Sequence, residues 1–107
     1  DGDRRFEILP FTTSTTEASD FIHSITAGGG DDEAEDVVGG LQEVLNLDWS
    51  EARIKVLFHV GDAPGHGTEL HAGVPGVSDS YPSGVSGQKP WREVIEELAA
   101  CHIDVYF

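Results

Sequence analysis

This chain has little cysteine and little positive charge. Its 107 residues include one cysteine and 6 lysines and arginines against 20 aspartates and glutamates, giving a formal net charge of −14. A single cysteine excludes an internal disulfide framework, and we expect Cys101 to be buried, as free thiols commonly are. The negative charge disfavours binding to nucleic acids and to anionic membranes, and it favours divalent cations and basic protein partners.

Long hydrophobic runs are missing as well. No stretch approaches the roughly 20 apolar residues of a membrane span, and the first residues lack the pattern of a secretion signal. With 38% hydrophobic and 24% charged residues, the composition is that of a globular domain. We therefore predict a cytoplasmic location, with an extracellular one as the alternative.

Hydrophobic periodicity divides the chain into strands and helices. The predicted elements are a strand over residues 5–12, a helix capped within Thr12–Thr16 that runs to Ile25, a helix starting at Val37, a strand over Ile54–Val60, a helix starting at Trp91 and a strand over Ile103–Phe107. This β-α-α-β-α-β order predicts an α/β fold with a mainly parallel sheet. The continuous apolar run of Ile54–Val60 predicts burial on both faces of that sheet.

Asp62 and a cluster of acids at residues 31–36 are candidates for a metal- or substrate-binding site. Asp62 follows the Ile54–Val60 strand, and ligands in open α/β sheets bind just beyond the carboxyl ends of the strands; the alternative is a role in the turn alone. Residues 31–36 contain five acids, part of which is explained by the favourable effect of negative charge at a helix N-terminus. The glycine- and proline-rich residues 61–90 predict a long loop, a feature that is usually functional or disordered.

Two motifs carry a resemblance to a known family. The chain reads GGGDDEAEDVVGGLQEVLNLDW at residues 28–49 and KVLFHVGDAPGHG at residues 55–67, with Ser-Tyr-Pro at residues 80–82. In these motifs it resembles a von Willebrand factor type A domain, of the kind found in alpha-type protein kinases and hemicentin-like proteins. The resemblance covers essentially all 107 residues and implies a doubly wound, Rossmann-like sheet flanked by helices.

The resemblance also implies a metal-ion-dependent adhesion site at the carboxyl edge of the sheet. In the family, three loops hold Mg²⁺ or a similar divalent cation such as Mn²⁺, and a carboxylate of the partner protein often completes the coordination. Asp62 matches the third loop, and Asp31, with Asp32 as the alternative, matches the second. The Asp-x-Ser-x-Ser motif of the first loop is absent from this sequence. We therefore expect a partial domain over residues 1–107 and weak metal binding.

A different reading starts from the histidines in the loop. Asp62, His66 and His71 form an Asp-x3-His-x4-His set, which would suit a metal-dependent hydrolase that uses zinc or iron. The simpler interpretation is two solvent-exposed histidines, and a purely structural acidic domain is a third possibility. We predict a non-catalytic protein-interaction module, with any kinase activity outside this chain and possible self-association through an exposed sheet edge.

Overall fold

The computed structural model describes residues 6–26, 28, 30, 32–49 and 52–107, within two compact units, Asp1–Gly30 and Asp31–Phe107. The elements in chain order are helix α1 (Thr15–Ser24), helix α2 (Val37–Asn46), strand β1 (Lys55–Phe58), helix α3 (Trp91–Ala100) and strand β2 (Ile103–Tyr106). Within the residues described, no helix has the length and apolar character needed to cross a membrane.

The first unit contains one helix and no strand among its described residues. Helix α1 begins where predicted, because the Ser14 hydroxyl oxygen accepts a hydrogen bond from the Glu17 N–H at 3.1 Å and so caps its first turn. The strand predicted over residues 5–12 is wrong for residues 6–12, which have no regular secondary structure; Arg5 lies outside the described residues. A strand needs a hydrogen-bonded neighbouring strand, and the two strands of the described part of the chain pair with each other and not with residues 6–12. Pro10 also has no N–H to donate.

The second unit has its core between two helices and one strand. Apolar residues on one side of α2 and on one side of α3 pack together with β2. The buried members are Val38, Leu41, Val94, Leu98 and Ile103. The helical spacing of three and four residues predicted this packing, because residues at that spacing lie on the same face of a helix.

The sheet consists of two parallel strands among the residues described. Leu57 on β1 pairs with Val105 on β2, and Phe58 pairs with Tyr106. The predicted parallel pairing is therefore confirmed, but the doubly wound sheet is not seen. Strand β1 alternates between half-buried and exposed positions, and Phe58 is 74% exposed, so the predicted burial on both faces is wrong for this chain. Within the described residues of the second unit, the face that carries Leu57 packs against the helical core.

The exposed face of the sheet leads to a prediction about association. Phe58 and Tyr106 stack at a centroid distance of 5.5 Å and are both exposed. Exposed apolar strands recruit other chains, so we expect the chain to self-associate at high concentration. Phe58→Lys should shift it toward monomer in sedimentation velocity, whereas Val74→Lys, at an exposed position in the loop, should not. Equal behaviour of the two variants would argue against this surface.

Cys101 is exposed, which corrects the expectation of a buried thiol. It follows the last turn of α3, where its N–H donates to the Glu97 carbonyl oxygen at 2.9 Å. The next residue, His102, has a φ of 56° and turns the chain from the helix into β2. Ile103 is buried instead, because the turn directs its side chain toward the core.

Candidate functional site

The acidic segment before α2 lies beside the loop that follows β1. The Glu35 N–H donates to the Pro64 carbonyl oxygen at 2.8 Å, and the Glu35 carbonyl oxygen accepts from the His66 N–H at 2.9 Å. These bonds make a parallel bridge between Glu35 and Gly65. A Cβ added at Gly65 would lie 2.9 Å from Leu70 Cδ1, the end of a flexible side chain, and 3.4 Å from Val37 Cβ at the start of α2, so Gly65 lies close to both segments.

The same acidic segment is also held by residues near Ser78. The backbone N–H groups of Glu33 and Ala34 donate to the Ser78 carbonyl oxygen at 3.2 and 3.1 Å, and the Ser78 N–H donates to the Glu33 carboxylate at 3.1 Å. The Asp32 carboxylate accepts a hydrogen bond from the Ser80 N–H. Three stretches that are distant in sequence are therefore bonded to one another here.

The carboxylate of Asp79 is at the centre of this arrangement. Its Oδ1 accepts from His66 Nδ1 and from the Tyr81 N–H, both at 2.8 Å. Its Oδ2 accepts from the Gly67 N–H and from His71 Nε2, both at 2.9 Å. A carboxylate only accepts, so each imidazole donates through the nitrogen named. The side chain of Asp79 is 3% exposed, and each of its oxygens makes two hydrogen bonds.

These contacts fix the charge of the two aspartates. Burial by itself would raise the pKa of Asp79, but the hydrogen bond from His71 and the three others outweigh it and hold the pKa well below its usual range. The backbone hydrogen bond from Ser80 lowers the pKa of Asp32, against the opposing effect of burial. Both groups are therefore carboxylates at neutral pH.

Three of these side chains form a group that could hold a metal ion. Ligand atoms of Asp32, His66 and Asp79 all lie within 4.8 Å of one another, and this is the only such group of three among the described residues. His66 Nδ1 is 4.0 Å from Asp32 Oδ2. One imidazole and two carboxylates are a ligand set that divalent transition metals accept.

Asp62 lies nearby in an exposed stretch of the loop after β1. It lines a hollow of about 450 Å³, which also contains Pro64 and Val77. The acidic side chains around this hollow are those of Asp32, Glu33, Glu35 and Asp62. Two of the three predicted metal ligands, Asp62 and Asp32, thus face one hollow, and the third, Asp31, lies outside the described residues.

Part of the acidic run has the structural role expected of it. Asp36 caps α2, because its Oδ1 accepts a hydrogen bond from the Gly39 N–H at 3.0 Å. The same oxygen accepts from Gln88 Nε2 at 2.6 Å, which ties the end of the loop to the start of the helix. This residue stabilises the fold, whereas Asp32 and Asp62 are positioned around the hollow.

The histidines are not the exposed loop residues that the simpler interpretation expected. The side chains of His66 and His71 are 5% and 9% exposed, and both bind Asp79. Asp62, His66 and His71 do not form a group whose ligand atoms lie close enough to share a metal ion. The structure therefore does not assemble the ligand set that the hydrolase hypothesis requires. Sequence reasoning missed Asp79. The available signal was a third acid in a loop that already held two histidines.

Comparisons with known proteins give one strong similarity. No family model matches the chain, and no solved structure matches it. Over 103 residues, 96% of this chain, it is 35% identical to a Dictyostelium discoideum protein described as alpha-protein kinase vwkA. The match spans 16% of that protein, so this chain is similar to a small region of a much larger kinase. The similarity supports the alpha-kinase association that the resemblance implied.

Proposed function

We propose that this chain is a non-catalytic protein-interaction module within a larger protein of the alpha-kinase type. The observation that carries the proposal is the 35% identity to an alpha-protein kinase over 96% of this chain. The match covers only 16% of the kinase, so the similar region is a small part of that protein. The rest of that protein lies outside the match and has room for the kinase activity that its description names. The module would then position the kinase by binding a partner rather than take part in the chemistry.

We further propose that the module is a von Willebrand factor type A domain whose Asp-x-Ser-x-Ser segment is not among these residues. The two motifs of the resemblance support this, together with the parallel pairing of β1 and β2. The loop after β1 and the acidic segment before α2 are joined by the bridge between Glu35 and Gly65, which brings them close enough to contribute ligands to one cation.

The cation of this site would lie in the acidic hollow. Asp62 and Asp32 offer hard oxygen ligands, which fit Mg²⁺ and Mn²⁺. Two carboxylates leave most of the six positions of Mg²⁺ to water, so binding by this chain alone is weak. A carboxylate of the protein partner would replace one of these waters, and partner binding would then depend on the cation.

A titration with Mn²⁺ tests the metal part of this proposal. We expect the chain to bind Mn²⁺ with a dissociation constant of millimolar order, and Asp62→Ala to weaken it further. Asp62 is exposed, so the variant should stay folded. Enhancement of the water-proton relaxation rate is a suitable measurement, because bound Mn²⁺ would keep its waters.

The matched control is Asp20→Ala, which removes an exposed acid from α1 in the other unit. Both variants change the net charge equally, so a loss specific to Asp62→Ala identifies a site rather than a general attraction of cations. If Asp62→Ala and Asp20→Ala bind Mn²⁺ alike, the assignment of Asp62 is wrong.

A further inference from the structure

We propose that His66, Asp79 and Asp32 form a second metal site, selective for Zn²⁺ over Mg²⁺, which shares Asp32 with the proposed cation site of the acidic hollow. The nitrogen His66 Nδ1 lies 2.8 Å from Asp79 Oδ1 and 4.0 Å from Asp32 Oδ2. Ligands of tetrahedral zinc at 2.0–2.2 Å from the metal are roughly 3.3–3.6 Å apart. These two distances bracket that range, so zinc requires shifts of about half an ångström in the two pairs that include His66. The ligand atoms of Asp32 and Asp79 lie within 4.8 Å of each other, and these two carboxylates would have to approach further.

The ligands are prearranged by the rest of the loop. Asp79 Oδ2, the oxygen that would not bind the metal, accepts hydrogen bonds from His71 Nε2 and from the Gly67 N–H, which fix the plane of the carboxylate. The Asp32 carboxylate is held by the Ser80 N–H, which donates to Oδ2, the same oxygen that lies 4.0 Å from His66 Nδ1. Such contacts behind the ligands are characteristic of metal sites and contribute to their affinity.

Burial differs among the three ligands in a way that suits a site with one open position. The side chains of His66 and Asp79 are 5% and 3% exposed, and that of Asp32 is 14% exposed. Water can therefore reach the cluster from the side of Asp32 and would supply the fourth ligand. Two buried or half-buried carboxylates beside one imidazole also leave excess negative charge, which a divalent cation would neutralise.

The choice of metal follows from the nitrogen ligand. Mg²⁺ prefers six oxygens and strict octahedral geometry, whereas imidazole suits Zn²⁺ and its neighbours in the first transition row. Zinc would replace the hydrogen that His66 Nδ1 shares with Asp79 Oδ1, and the imidazole hydrogen would then reside on Nε2. The bound metal would join the segment before α2 to the loop after β1 and so stabilise both.

The proposal predicts one equivalent of Zn²⁺ bound by the 107-residue chain, with roughly micromolar or tighter affinity, unaffected by an excess of Mg²⁺. Calorimetric titration of chelator-treated protein measures this, and Co²⁺ provides a second readout through the visible absorption of a tetrahedral site. Zinc should also raise the thermal unfolding midpoint by several degrees, since it binds only the folded chain.

Two variants decide the assignment. His66→Gln should abolish zinc binding, and Asp32→Asn, which keeps an oxygen for the Ser80 N–H, should weaken it at least about tenfold. His23→Ala and Asp62→Ala should bind zinc as the unmodified chain does. Circular dichroism in chelator shows which variants are folded, and if His66→Gln is not, Asp32→Asn carries the test.

The outcomes separate this site from the proposed cation site of the acidic hollow. Loss of Zn²⁺ binding in His66→Gln with Mn²⁺ binding intact supports the second site. Asp32→Asn should weaken both metals, because Asp32 is offered to both sites, so its result is compared with Asp62→Ala, which must still bind zinc. Three results would overturn the proposal. They are zinc binding that persists in both His66→Gln and Asp32→Asn, zinc binding that is lost equally in His23→Ala, and no detectable zinc binding by the folded chain.

Discussion

Replacing Asp79 by Asn should lower the free energy of unfolding by about 3 kcal/mol. The carboxylate accepts four hydrogen bonds, two of them from His66 and His71. An amide offers one accepting oxygen, and its NH₂ group would face two donors in a nearly closed site. Urea unfolding in the presence of chelator measures the change without any contribution from metal.

The control for this substitution is Asp104→Asn, on the exposed face of β2. It makes the same chemical change where no buried donors depend on the carboxylate, so the expected effect is within about 0.5 kcal/mol. Comparable losses in the two variants would mean that the hydrogen bonds of Asp79 contribute little to stability.

The lowered pKa of Asp79 predicts how stability changes with pH. The folded state binds fewer protons than the unfolded chain, in which an aspartate has a pKa of about 3.9. The stabilisation is therefore complete above about pH 5 and is lost as the pH falls from there, through the unfolded-state value, toward the folded-state pKa. Asp79→Asn should show a shallower acid dependence than the unmodified chain, and parallel curves would contradict this assignment.

Replacing Leu98 by Ala should lower the free energy of unfolding by about 2–5 kcal/mol. Leu98 is 1% exposed and packs with Val94 and Ile103 in the core of the second unit. Removing three carbons there loses their transfer from water and leaves a cavity that the helix cannot close. Thermal or urea unfolding followed by circular dichroism measures the loss.

Ile95→Ala is the matched control on the same helix. Ile95 is 37% exposed, so truncating it removes apolar surface that is already partly in water. We expect a loss of about 1 kcal/mol or less. A similar loss at both positions would mean that α3 does not present Leu98 to the core as the structure shows.

The helices could be predicted from the sequence because their causes are local. The capping contact of Asp36 with Gly39 joins residues three apart, and so does that of Ser14 with Glu17. The apolar spacing within α3 selects one face for burial in the same local way. None of these effects requires knowledge of the rest of the chain.

The predicted strands were less reliable, because a strand is defined by its partner. Ile54–Val60 and residues 5–12 both have strand-like composition, but among the described residues only the first pairs with another strand, and β1 covers just Lys55–Phe58 of it. The prediction from composition that both faces of the Ile54–Val60 strand are buried was also wrong. Only the packing of helices against one face shows that the other face, with Phe58, is exposed within this chain.

The sequence by itself determined the acidic character, the helices, the parallel pairing of two strands and the proximity of Asp62 to a strand end. The tertiary structure alone decided which loop residues come together. The bond between His66 and Asp79 spans 13 residues, and that between Asp32 and Ser80 spans 48. Such contacts form only after the loop closes on the segment before α2, and no local pattern encodes the distance between groups so far apart in the chain.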